Sequence, residues 1–238
     1  MTGPGGGKKA GSGRRRPSDR LAVRVKAKGR SVSSVRWLER QLNDPFVRAA
    51  QTQGYRSRAA FKLLELDDRY RVLKPRRVIV DLGAAPGGWT QVAAERVKAA
   101  DPGAVGRVIA VDLAEIKPIA GATVLRLDVE TAGPDIREAA GGPVDVVLSD
   151  MAPPAIGHPG TDHLRIMVLA EAALAFAREV LRPGGDFVVK LLKGAEERSF
   201  VADVKKSFAE VRYVKPSASR SESAEVYVVA KGFRKHRG

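Results

Sequence analysis

The sequence predicts an open α/β fold: a seven-stranded, mostly parallel sheet with an antiparallel last strand and helices on both faces. Three observations carry this. From Arg77 onward, short runs rich in Val, Ile and Leu alternate with helix-spaced stretches, the pattern of a parallel sheet covered on both sides. The first run leads into DLGAAPGGW at 81–89, where three glycines and a proline stand at the point where a strand must turn sharply into a helix. Four runs end at an aspartate (Asp81, Asp112, Asp128, Asp150), on the edge where such sheets bind ligands.

Taken in order, the chain opens on a basic segment. Residues 1–30 hold ten Lys and Arg against one acid, Asp19, and so supply nine of the net +15 charges. Rich in glycine and poor in apolar residues, they are expected to form a disordered basic arm, with residues 31–238 as the folded domain. A secretory signal would need an apolar stretch that is missing here. The arginines suit a mitochondrial transit peptide, but the glycines spoil its amphipathic helix. An arm that contacts RNA phosphates fits best.

A first helix is expected from a Ser33-Ser34 cap through Val35, Trp37, Leu38 and Leu42 to Asn43-Asp44-Pro45. A second is expected over 57–72, with Phe61, Leu64, Leu66, Tyr70 and Leu73 on its inner face and Lys62 beside them. By spacing alone, Lys62 reads as a solvated helix lysine. Strands are expected at 77–81, 107–111, 122–127, 144–149, 185–191, 209–214 and 225–230. The clearest helix, 162–181, is closed by Pro183-Gly184-Gly185. Only the polar stretch 215–224 separates the last two strands, too little for a helix, so they pair as a hairpin and the final strand runs antiparallel.

Composition narrows the chemistry. Cysteine is absent, which excludes disulfides, thiolate catalysis and Cys-based zinc sites. A histidine-only metal site would need His158, His163 and the near-terminal His236 together, so no metal is expected. No apolar run approaches the ~20 residues of a membrane span. The large positive surplus points to a polyanion, nucleic acid first.

The glycine stretch is neither GxGxxG nor a P-loop. Against an ordinary tight turn, the serial acids favour a phosphate-free cofactor that carries an adenosine, with S-adenosylmethionine the expected molecule. Asp112 is placed to accept from ribose hydroxyls, Asp128 to receive the adenine amino group, and Asp81 to order the glycine loop. Trp89 either packs on the cofactor or belongs to the core. After Asp150 comes Met151-Ala152-Pro153-Pro154 with no aromatic to stack on a base, which argues against methylation of a base amine.

The segments SSVRWLERQLNDPFVRAAQ, SRAAFKLLELDD, DLGAAPGGWTQVA, LSDMAPP, LRPGGDFVVKLLKG and SESAEVYVVAKGF lie in order across residues 31–233. In these the chain resembles the FtsJ/RrmJ family of ribosomal RNA 2′-O-methyltransferases, departing from many bacterial members at Pro154. The resemblance implies the class I S-adenosylmethionine-dependent methyltransferase fold and a catalytic tetrad that falls on Lys62, Asp150, Lys190 and Glu225. It implies cofactor contacts at Gly87, Trp89, Asp112, Asp128 and Asp150. The implied acceptor is a uridine ribose in the A-loop of large-subunit ribosomal RNA, and the implied partner the large ribosomal subunit; a cytoplasmic enzyme is expected, with a monomer as the default because nothing in the sequence sets the oligomeric state. Action on tRNA or another RNA, or a non-catalytic role in ribosome assembly, are the alternatives.

Such a tetrad has a chemical purpose. A ribose 2′-hydroxyl is a poor nucleophile until it loses its proton, and an ordinary lysine ammonium cannot take one. A second ammonium nearby and partial burial both favour the neutral amine. Lys190 is the expected general base, Lys62 the cation that promotes its neutral form and stabilises the alkoxide, and Asp150 and Glu225 the groups that orient the two amines.

Overall fold

In the computed structural model, the described residues are 23–26, 29, 31–131, 133–153 and 157–235. Most of the basic arm, Pro154 with its two followers, and His236 lie outside them. The chain divides into two compact units, one through Pro45 and one from Phe46 onward.

The first unit contains α1 (Val32–Asn43), whose N-cap is Ser31 rather than the expected Ser33 or Ser34; the Ser31 side chain accepts from the Ser34 amide. Residues 23–25 lie along this helix. Val23 exchanges two hydrogen bonds with the Asn43 side-chain amide (2.8 and 3.0 Å), and the Val25 amide donates to Glu39 at 3.1 Å.

The second unit is the α/β domain. Its first element, from Phe46, is the body of α2 (Pro45–Gln53), which the sequence pattern does not announce because Pro45 reads as a stop to the preceding helix. Proline serves equally as a first helical residue, where no amide is needed. Then come α3 (Ala60–Tyr70), β1 (Val78–Leu82), α4 (Gly88–Val97), β2 (Arg107–Asp112), β3 (Ala122–Arg126) and α5 (Gly133–Ala140). The chain continues with β4 (Val144–Ser149), α6 (Pro159–Val180), β5 (Leu181–Leu192), α7 (Glu197–Ser207), β6 (Phe208–Val214) and β7 (Glu225–Phe233). Helix α3 begins three residues later than expected. Strand β5 starts at once after α6, and its pairing with β4 shifts register between Val144 and Val146.

The sheet order is β3-β2-β1-β4-β5-β7-β6. Pairs among β1 to β5 are parallel, and β7 runs antiparallel to both β5 and β6, as the short polar connection required. Alternation along the strands separates two cores. Val80, Leu82, Val147, Phe187, Val189, Val226 and Val228 pack beneath residues of α5, α6 and α7. Ile79, Val146, Leu148, Val188, Tyr227 and Val229 pack with residues of α3 and α4. Between β1 and β4 the chain order reverses, which opens the crevice where such sheets hold ligands.

Candidate active site

The parity that sorts the cores also aims the chemistry. Lys190 follows Val188 by two residues on β5, and Glu225 and Tyr227 precede Val229 by four and two on β7, so all three side chains emerge on the α3 side. Lys190 and Tyr227 are direct cross-strand partners. From α3, Lys62 reaches both Glu225 oxygens at 2.7 and 2.8 Å and donates to the Tyr227 hydroxyl at 3.2 Å. That hydroxyl donates to Asp150 Oδ1 at 2.8 Å. Lys190 Nζ donates to the Asp150 carbonyl oxygen at 2.7 Å and lies 3.1 Å from Oδ1.

Five side chains thus form one network, Glu225–Lys62–Tyr227–Asp150–Lys190. The structure brings together all four residues of the expected tetrad and adds Tyr227. The signal for Tyr227 was present, since it stands two residues after Glu225 and therefore on the same strand face. The Lys62 side chain is 12% exposed and that of Lys190 is 8%, so these are buried charges that require partners. Burial works to raise the Asp150 carboxyl, but Lys190 and Lys62 beside it and the Tyr227 hydroxyl hold it below the usual carboxylate range. Burial, with the Asp150 and Glu225 carboxylates, pushes the Tyr227 phenol well above its ordinary value and keeps it a donor.

Asp150 also belongs to the neighbouring cavity of about 610 Å³ at the carboxyl ends of the strands. Asp112 and Asp128 line it with Asp150, alongside Gly83, Leu113, Met151 and Leu169. Asp112 accepts from the Ala85 amide at 2.9 Å and the Ala114 amide at 2.8 Å, which fixes its carboxylate at the cavity edge. A Cβ on Gly83 would stand 2.5 Å from Met151 Cγ and 2.8 Å from its Cα, so only glycine lets the loops after β1 and β4 approach this closely. A mostly apolar cavity with four carboxylates, Asp112, Asp128, Glu130 and Asp150, suits an adenosine-bearing cofactor: apolar side chains for the ring, acids for hydroxyl and amino groups.

Gly87 and Trp89 stand elsewhere. Gly87 caps α4 at φ 112°, a conformation that excludes other residues, and a Cβ there would meet Ile119 at 2.6 Å. Trp89 is 2% exposed; its indole donates to the Ala59 carbonyl at 2.9 Å and packs 5.7 Å from the Tyr227 ring. Of the two roles open to the indole, the structure gives it the core one. It buttresses Tyr227 from behind and does not face the cavity. The reason is helical phase, since the second residue of α4 turns towards α3.

Asp81 is inside β1 rather than at its end, with 0% exposure, and accepts from Thr90 Oγ1 of α4 at 2.7 Å. It ties the strand to the helix across the glycine loop. Burial first, then Asp150 and Asp112, push its carboxyl up to about 7 against the opposing Thr90 bond. His158 caps α6, accepting from Thr161 N, and His163 pairs with Glu196 at 2.5 Å. Both histidines therefore serve as a helix cap and a polar partner, without a part in the network around Asp150.

An FtsJ-like methyltransferase family model matches residues 55–233. The chain belongs to that family. Its cofactor is S-adenosylmethionine, and the cavity residues fit it. The chain is 55% identical over 231 residues to the ribosomal RNA large subunit methyltransferase E of Paramagnetospirillum magneticum, covering 96% of this chain and 95% of that protein. It is 56% identical to the protein of the same name from Parvibaculum lavamentivorans, covering 96% and 93%. A Plasmodium falciparum chain described as a ribosomal RNA methyltransferase superposes with a TM-score of 0.67 at 31% identity, over 75% of this chain and 98% of that one.

Proposed function

We propose that this methyltransferase modifies the ribose 2′-hydroxyl of a uridine in the A-loop of large-subunit ribosomal RNA, acting on the assembled large subunit in the cytoplasm. The observation that carries the reading is the position of Asp150, which lines the cofactor cavity and holds the Lys190 amine at once. The site of methyl donation and the site of proton removal therefore share one residue. The names of the full-length relatives support ribosomal RNA as the acceptor.

Bound S-adenosylmethionine supplies a methyl group on a sulfonium that leaves as a neutral thioether. This chain's residues prepare the oxygen that receives it. Lys190 acts as the general base that takes the 2′-hydroxyl proton, and Asp150 steadies the ammonium so formed. Lys62 places a positive charge by the developing alkoxide, and Glu225 fixes its direction. Tyr227 holds Asp150 and Lys62 in register. Position and preorganised charge supply the acceleration.

Residues 1–30 extend the RNA interface as a basic arm on phosphates. Deleting them should weaken RNA binding and flatten the log–log slope of affinity against salt by roughly 0.7–0.9 for each phosphate no longer neutralised; an unchanged salt slope would remove the arm from the interface. The main test uses radiolabelled S-adenosylmethionine with large subunits, small subunits and tRNA, followed by mapping of the methylated nucleotide. Label at one A-loop uridine is the expected result. Label in tRNA would overturn the ribosomal assignment, and no label in any pool with cofactor still bound would favour a non-catalytic assembly role.

A further inference from the structure

The segment between β6 and β7 does more than close a hairpin. Arg58, Lys62 and Glu65 are spaced four and three apart along α3 and the turn that leads into it, so they share one face. The outer two hold the β6–β7 loop. Arg58 Nη2 donates to the Ala218 carbonyl. The Glu65 carboxylate accepts from the Ser217 amide at 2.8 and 3.0 Å, from the Ser217 hydroxyl at 2.6 Å and from the Ala218 amide at 3.4 Å. The loop also closes on itself, with Lys215 Nζ donating to the Ser221 and Ser223 carbonyls at 3.0 and 2.8 Å.

This seating buries Ala218 and Ser219, which are 1% and 7% exposed. It brings the Ser219 hydroxyl to donate to Glu225 Oε1 at 2.9 Å, and that same oxygen lies 2.7 Å from Lys62 Nζ. A glutamate has three rotatable bonds, and one ammonium leaves its carboxylate free to swivel. A second donor from a fixed loop removes that freedom and with it the freedom of Lys62.

We propose that the β6–β7 loop is a positioning device for the Lys62–Glu225 pair, with Ser219 as the positioning residue and Arg58 and Glu65 as its seat. This rests on the tetrad reading above. A loop that served only to connect two strands would need neither a carboxylate bonded to two successive amides nor a buried hydroxyl aimed at a catalytic-network oxygen.

The test measures methyl transfer to large subunits by the full chain carrying Ser219→Ala, Glu65→Gln, Lys62→Ala, Glu225→Ala and the Ser219→Ala/Glu225→Ala pair, with cofactor binding by calorimetry. Ser219→Ala should lower kcat about tenfold, the scale of a hydrogen bond to a charged group, with cofactor affinity unchanged. It should cost nothing further once Glu225 is alanine, because the two act through one oxygen. Glu65→Gln, which leaves the network untouched, should lower kcat in the same sense and serves if Ser219→Ala fails to fold. Full rate in Ser219→Ala, or additive losses in the pair, would overturn the inference while the tetrad stands. Full rate in both Lys62→Ala and Glu225→Ala would overturn the tetrad itself, and the inference with it.

Discussion

Asp81 and Asp150 come from adjacent strands, β1 and β4, and face opposite fates. Both are taken out of water, which raises a carboxyl. Asp81 has one neutral hydroxyl partner and two acids for neighbours, and its carboxyl rises to about 7. Asp150 has Lys190, Lys62 and Tyr227, and is held below the usual range. Burial is common to the two, and the neighbours decide. One edge of the sheet thus carries a fixed anion paired with the Lys190 ammonium and, next to it, a carboxyl that changes its protonation near neutral pH and serves the fold.

The largest expected effect tests the anion's partner. Lys190→Ala should depress methyl transfer by about 10²–10⁴-fold, the span of general-base catalysis, while cofactor affinity holds nearly constant. Loss of cofactor binding instead would make Lys190 part of the cavity and dissolve the distinction between the two regions. Next in size, Tyr227→Phe removes one of the donors to Asp150 and the link to Lys62, and should lower kcat about tenfold with little change in KM. A rate equal to the parent's would mean that the ammonium groups alone fix Asp150.

The smallest effect concerns stability and belongs to Asp81. Between the unfolded value of about 4 and the folded value of about 7, the native state holds a proton that the unfolded chain has released, so stability falls as pH rises through this window. Asp81→Asn keeps an acceptor for Thr90 and cannot ionise. Its melting temperature relative to the parent should therefore climb by a few degrees from pH 5 to pH 8. A difference that stays flat across this range would show that Asp81 is already ionised, and the contrast with Asp150 would collapse.

Sequence by itself determined the strand order's raw material. The apolar runs, the glycine turn and the stretch too short for a helix before Glu225 dictated a parallel sheet with an antiparallel final strand, because these are local signals of period and chain length. It also supplied the four residues of the tetrad through matched motifs, although Lys62 by its spacing alone looked like any surface lysine. Tertiary structure decided what those residues touch. Lys62 and Glu225 are 163 positions apart and meet only because α3 lies over β7. Trp89, open between cofactor and core, was settled by the phase of α4, and Tyr227 entered the site because β5 and β7 set it opposite Lys190. A motif names a side chain, but a charge network depends on which faces are brought together, and strand parity and helix placement fix that only once the sheet is assembled.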